Sequence, residues 1–106
     1  MKYHVEYSQV AIRDLDRVWN EVFEASKDYE ITQKYLDDLM DKVEAKADHP
    51  KSGAPLYYQD LFTGYYFVVF KAYLAFYRMD GDKMLVDRVL FAASDYMRYL
   101  HLGTDK

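Results

Sequence analysis

The side chains here that could do chemistry are mainly cationic and phenolic. His4, His49 and His101 fall on an opening strand, a loop and a tail, with no pair at metal-ligand spacing. The absence of cysteine removes a thiolate zinc site, a disulfide scaffold and a cysteine nucleophile together. There is no glycine-rich phosphate loop and no G-x-S-x-G elbow. Asp37, Asp38 and Asp41 invite comparison with a carboxylate cluster, but adjacent helical residues point about 100° apart, which makes them a solvated acidic face. What remains is Arg78, Arg88 and Arg98 with Lys71 and Lys83, able to meet anions, and a dense run of aromatics. Tyr57, Tyr58, Phe62, Tyr65, Tyr66, Phe67, Phe70, Tyr73, Phe76 and Tyr77 crowd one stretch, and Tyr96 and Tyr99 follow in the tail. Tyrosine at this density suits either a contact surface or cross-strand pairs that support a sheet.

A chain of 106 residues, 51% hydrophobic and 30% charged, is long enough for one buried core and too short for two. Its net charge of −4 makes nucleic acid a poor default partner, because phosphate neutralisation by Lys and Arg dominates that affinity. The acidity is uneven: residues 1–50 hold twelve acidic and seven basic side chains, whereas residues 51–106 hold six and seven. An anion-facing surface must therefore come from the second half. No apolar run reaches the roughly 18 residues of a membrane span, and MKYHVEYSQV has no signal-peptide core, so the expected location is cytoplasmic, with no membrane contact.

These residues need elements to position them. Tyr3, Val5 and Tyr7 alternate with Lys2, His4 and Glu6, the period of a half-buried strand. Ser8 then caps a helix whose stripe is Ala11, Leu15, Val18, Trp19, Val22 and Phe23, with Arg13, Asp14, Asp16 and Arg17 on the polar faces, ending near Lys27. A second helix is expected from a Thr32 cap, with Tyr35, Leu36, Leu39, Met40, Val43 and Ala47 inward, stopping before Pro50. About four residues between them make an antiparallel hairpin. Beyond the loop His49–Pro55 the period changes to two. Strands are expected over Leu56–Phe62, Tyr65–Phe70, Tyr73–Met79 and Met84–Phe91, with turns at Thr63-Gly64, Lys71-Ala72 and Asp80-Gly81-Asp82, and a short helix or tail from Asp95 to Leu100. The fold class is α+β, a strand and helical hairpin packed on an antiparallel β-meander, whose other face should expose tyrosines.

The wording YHVEYSQVAIRDL, ADHPKSGAPL and YLAFYRMDGDKMLVDRVLFAASDYMRYL, in that order, resembles the RelE/ParE superfamily of small bacterial toxins over about residues 3–100. The resemblance implies a curved sheet under two helices, a growth-inhibiting toxin of the plasmid-stabilisation kind, and a cognate antitoxin that folds on it. It implies no cofactor and no metal. RelE-type members cleave mRNA on the ribosome, while ParE-type members poison DNA gyrase.

Carried over residue by residue, the RelE catalytic cations fall here on Tyr65, Phe67, Leu74 and Ala93, and only the late tyrosine, Tyr99, has a counterpart. Cleavage of a phosphodiester needs cations beside the developing charge. The ParE-like branch is therefore favoured, although the basic pair usual after its last strand is replaced by Ala92-Ala93-Ser94. The expected target contacts are Arg88, Tyr96, Arg98 and Tyr99, and Arg88, Arg98 and Tyr99 would carry catalysis if cleavage were the activity. Trp19, Phe23, Tyr65 and Tyr73 are the expected antitoxin contacts, in a groove between helices and sheet. The alternatives are a ribosome-dependent mRNA interferase, an attenuated toxin, and a non-toxic module that homodimerises through its tyrosine face.

Overall fold

The computed structural model describes residues 2–100; Met1 and residues 101–106, His101 among them, lie outside it. The order is β1 (His4–Tyr7), α1 (Gln9–Ser26), α2 (Tyr29–Glu44), a 3-10 turn (Pro50–Ser52), β2 (Ala54–Tyr58), β3 (Leu61–Phe70), β4 (Tyr73–Asp80), β5 (Lys83–Phe91) and α3 (Tyr96–Tyr99). This is the α+β fold expected, one five-stranded sheet in the order β1-β5-β4-β3-β2. Strands β2 to β5 form the antiparallel meander, and β1 joins the last strand in parallel, with Tyr7 opposite Val86.

Helix α1 starts as the sequence indicates, since the Ser8 hydroxyl accepts from the Ala11 N–H at 2.9 Å. It ends on Lys27, in the left-handed region at φ 55°. The second helix begins earlier than expected. Asp28, not Thr32, is its cap, accepting from the Ile31 N–H at 3.0 Å. Thr32 is fully buried inside the helix, where its hydroxyl donates back to the Asp28 carbonyl at 2.8 Å. The hairpin connection is thus Lys27 and Asp28 alone.

The first β-turn also differs from expectation. It is Gln59-Asp60, both at positive φ (49° and 69°), the conformation a two-residue hairpin demands. Gly64, taken from sequence as the turn glycine, lies inside β3 at φ 92°. It sits near the register shift between Pro55 and Tyr57 on the partner strand, where the Thr63 hydroxyl donates to the Leu56 carbonyl at 2.7 Å. The turns at Lys71-Ala72 and Gly81-Asp82 stand where the sequence places them.

Alternation along the strands gives the sheet two apolar faces. Ala11, Val18, Leu36, Leu39 and Val43 of the helices pack on Val68, Tyr73, Ala75, Tyr77, Met84, Val86 and Val89. On the opposite face Leu56, Leu74, Phe76, Leu90 and Leu100 form a second cluster, joined by Tyr65, Phe67, Tyr96 and Met97. The expectation of a tyrosine-exposing outer face is therefore corrected. The segment after β5 folds over that face as α3, and within the aromatic run only Tyr57 and Phe62 stand out in solvent, at 54% and 47% exposure.

Candidate functional site

Strand β1 reaches only as far as Val86, so the remaining edge of β5 has no strand beside it. The start of α1 takes over. The Ser8 N–H donates to the Val86 carbonyl and its hydroxyl to the Asp87 carbonyl, both at 2.9 Å. Further along α1, Asp14 Oδ2 accepts from the Val89 N–H at 2.9 Å, and Arg17 Nη2 donates to the Val89 carbonyl at 2.9 Å. Edge hydrogen-bonding groups are thereby satisfied by the Ser8 backbone and by side chains of Ser8, Asp14 and Arg17.

Asp14 also receives Arg88, with Nε 2.8 Å from Oδ2 and Nη2 3.0 Å from Oδ1, and Arg17 Nη1 2.9 Å from Oδ1. The carboxylate side chain is only 3% exposed. Burial works to raise its pKa, but hydrogen bonds from Arg88, the Val89 N–H and Arg17 outweigh it, and the group is held below the usual carboxylate value. The sequence reading missed Asp14, assigning it to a polar helix face. Its spacing was the available signal: it stands three residues after Ala11 and four before Val18, on the buried stripe.

A register shift between Phe76 and Tyr77 turns Arg88 to the outer face of the sheet. There its guanidinium lies over the Tyr99 ring, 5.5 Å from the centroid, and Nη1 donates to the Tyr99 carbonyl at 3.4 Å. Arg88, Ser94, Asp95, Arg98 and Tyr99 line an open pocket of about 630 Å³. Three of the four expected target contacts thus come together. Arg98 is 75% exposed and only 4.0 Å from Asp95, a weak surface pair, and Tyr99 is 49% exposed. Tyr96 does not join them. Its ring packs on Phe76 at 5.2 Å, within the outer apolar cluster.

The four residues expected to meet an antitoxin do not share one surface. Trp19 and Phe23 stack at 5.3 Å, with Tyr29 edge-on to Trp19 at 5.5 Å, on the helical hairpin. Beside them Glu21, Val22, Ala25, Ser26, Tyr35, Ala72 and Tyr73 line a groove of about 340 Å³ between the hairpin and the β3–β4 turn. Tyr73 is buried and its hydroxyl donates to Glu21 Oε1 at 2.6 Å; burial, then that bond to Glu21, push its phenol well above the ordinary value. Tyr65 lies on the opposite face. It donates to Asp87 Oδ2 at 2.8 Å, which also takes Arg78 Nε at 2.8 Å, and burial and Asp87 push its phenol up to about 12.

The four residues on which the resemblance places the RelE cations bring no cation of their own to the site. Leu74 is in the outer cluster with Tyr65 and Phe67 packed against it, and Ala93 follows β5 in solvent. Among the described residues no three His, Asp or Glu are placed to hold a metal ion, and no helix is long and apolar enough to cross a membrane.

Comparison with known proteins agrees with this architecture. Two solved structures share the fold. A chromosomal ParDE toxin–antitoxin system from P. aeruginosa superposes with a TM-score of 0.70 at 16% identity, covering 85% of this chain and 96% of that one. The RelBE2 toxin–antitoxin complex from Mycobacterium tuberculosis does so with a TM-score of 0.61 at 19% identity, covering 89% and 95%. No curated protein sequence matches the chain. Residues 5–96 match the family described as ParE toxin of type II toxin-antitoxin system, parDE. That match spans α1, α2 and all of the sheet except His4, and by it the chain belongs to the ParE toxin family.

Proposed function

We propose that this ParE-family chain arrests growth by binding an essential target through the Arg98–Tyr99 pocket, without cleaving RNA itself, and that the target is DNA gyrase. A cognate antitoxin neutralises it by seating a segment in the groove lined by Glu21, Val22, Ala25 and Tyr73. The observation that carries this reading is the division of labour among the cations. Arg78 is tied to Asp87 and Arg88 to Asp14, the outer face they border is filled with Leu74, Phe76 and Leu90, and Arg98 alone of the three is held by no more than a weak surface pair with Asp95, beside a half-exposed tyrosine. A phosphoryl-transfer site needs several cations converging on one phosphate. A docking pocket can be anchored by one exposed arginine beside an aromatic ring, residue types enriched where partners bind.

Controlled expression in a bacterial host tests it. Growth arrest with an SOS response and trapped, cleaved DNA is the expected result, reproduced with purified gyrase. Arrest with mRNA cut at the ribosomal A site overturns the reading in favour of the interferase, and normal growth with abundant soluble protein discards the toxin itself.

A further inference from the structure

The groove and the pocket lie on opposite faces of the sheet, yet one uninterrupted chain of charged contacts joins them around the rim of β5. Tyr73 donates to Glu21 Oε1 at 2.6 Å, Glu21 Oε2 is 3.8 Å from Arg17 Nε, and Arg17 Nη1 is 2.9 Å from Asp14 Oδ1. Asp14 grips Arg88, and Arg88 holds Tyr99 by its carbonyl and its ring. Asp14, Arg17 and Glu21 are spaced three and four residues apart, which places all three on one face of α1. The junction is a shared atom: Asp14 Oδ1 accepts from both Arg17 and Arg88.

We infer that Asp14 is a positioning residue for the Arg88–Tyr99 pocket and that Arg17 connects it to the groove, so that a partner placing a cation on Glu21 loosens the pocket from the far side of the sheet. The inference rests on the assignment of groove and pocket made above. Its physical basis is competition. Arg17 stands between two carboxylates. When Glu21 is neutralised or occupied by a partner's cation, Arg17 turns fully to Asp14, and Arg88 loses its share of Oδ1. When the Tyr73 hydroxyl is removed, Glu21 is left freer to hold Arg17, and Asp14 is left to Arg88. Coupling of this kind requires an element that both sites bias, and here that element is the division of Oδ1 between two guanidinium groups.

The test uses the full chain labelled with ¹⁵N, reading hydrogen exchange at Arg88 Nη2, the nitrogen that shares Oδ1, and the amide shift of Tyr99. Glu21→Gln is expected to speed exchange at Arg88 Nη2, and Tyr73→Phe to slow it, each by at least about twofold, the lower end for a mutation along a coupled path. Gln33→Ala, exposed on α2 and bonded only to Asp37, serves as the control and leaves both signals unchanged. Opposite signs are the signature of competition, because general loosening of the fold moves both variants the same way. Exchange that is unchanged in both, or changed in the same direction, overturns the inference. These signals are read without any toxicity assay, so a protein that fails to arrest growth refutes the proposed target while leaving the relay to stand or fall by its own measurement.

Discussion

Arg88 meets Asp14 edge to edge, with Nε and Nη2 at 2.8 and 3.0 Å from the two carboxylate oxygens, across the rim of the last strand. A paired guanidinium of this geometry is a structural group first. It also separates the residues whose loss would unfold the protein from those whose loss would silence it.

Asp14→Ala strands Arg88 and Arg17 and leaves the Val89 N–H without a partner. A cost of about 3 to 5 kcal/mol is expected, the range for breaking a buried pair by removing one member, measurable by urea unfolding. Because the folded pKa of Asp14 is depressed, its contribution is fully present above the unfolded value near 3.8 and is lost as pH falls through the lower folded value. Unfolding midpoints of wild type and Asp14→Asn should stay evenly separated above the unfolded value near 3.8 and draw together as the pH falls below it, and curves that stay parallel through the whole acid range would refute the assignment.

Arg98→Ala and Tyr99→Ala behave differently. Arg98 is largely exposed and Tyr99 half-exposed with its ring under Arg88, so a stability change within about 0.5 kcal/mol is expected for Arg98→Ala and of up to about 1 kcal/mol for Tyr99→Ala. Growth arrest should nevertheless disappear in both. Arg88→Ala is the uninformative variant, because any loss of toxicity there accompanies loss of the Asp14 anchor. Retained toxicity in both Arg98→Ala and Tyr99→Ala removes the pocket from consideration.

Tyr7 has the one buried side-chain polar atom among the described residues that lacks a hydrogen-bond partner. Burial, then Glu44 and Asp41, raise its phenol, so the hydroxyl stays neutral and gains nothing from its surroundings. Tyr7→Phe is expected to leave stability intact or raise it by up to about 1 kcal/mol, since a desolvated, unpaired hydroxyl is a cost removed. A clear fall in melting temperature would mean that the hydroxyl is bonded in solution.

Gly53 is buried where the 3-10 turn meets β4, and a Cβ there would collide with the hydroxyl oxygen of Tyr77, which donates to the Pro50 carbonyl. Its φ of −69° is ordinary, so the objection to a side chain is steric alone. Gly53→Ala should cost about 1 to 3 kcal/mol, the usual penalty of overpacking. Tyr77→Phe in the same background should recover part of it by clearing the oxygen away.

The elements legible in the sequence were those set by periodicity and capping. The Ser8 cap, the stripe of α1 and the Asp-Gly hairpin all stand where the pattern puts them. What it hid was decided at long range or by exceptions to propensity. Gln59 and Asp60 adopt left-handed backbone that Gly64 advertised more loudly, and Thr32 looks like a cap because its hydroxyl does bond backbone, only one turn inside the helix. The pocket was half legible. Arg88, Arg98 and Tyr99 were named from their types, but the partner that fixes Arg88 comes from residue 14, and polarity alone assigned that aspartate to solvent. Tyr96 and Tyr65 were read as surface because alternation cannot reveal that a later segment folds back over the second face.

The parallel pairing of β1 with β5 sets the timing of assembly. Ser8 bonds Asp87 across 79 residues of sequence, so the opening strand has no edge to join until the last strand has formed. The helical hairpin and the meander close on local contacts, whereas this seam closes the largest loop among the described residues, the kind of long-range pairing that slows folding. Asp14, Arg17 and Arg88 belong to that same seam. During synthesis the Asp14–Arg88 contact would therefore be absent until β5 emerged, which makes the pocket the last part of the rim to be built.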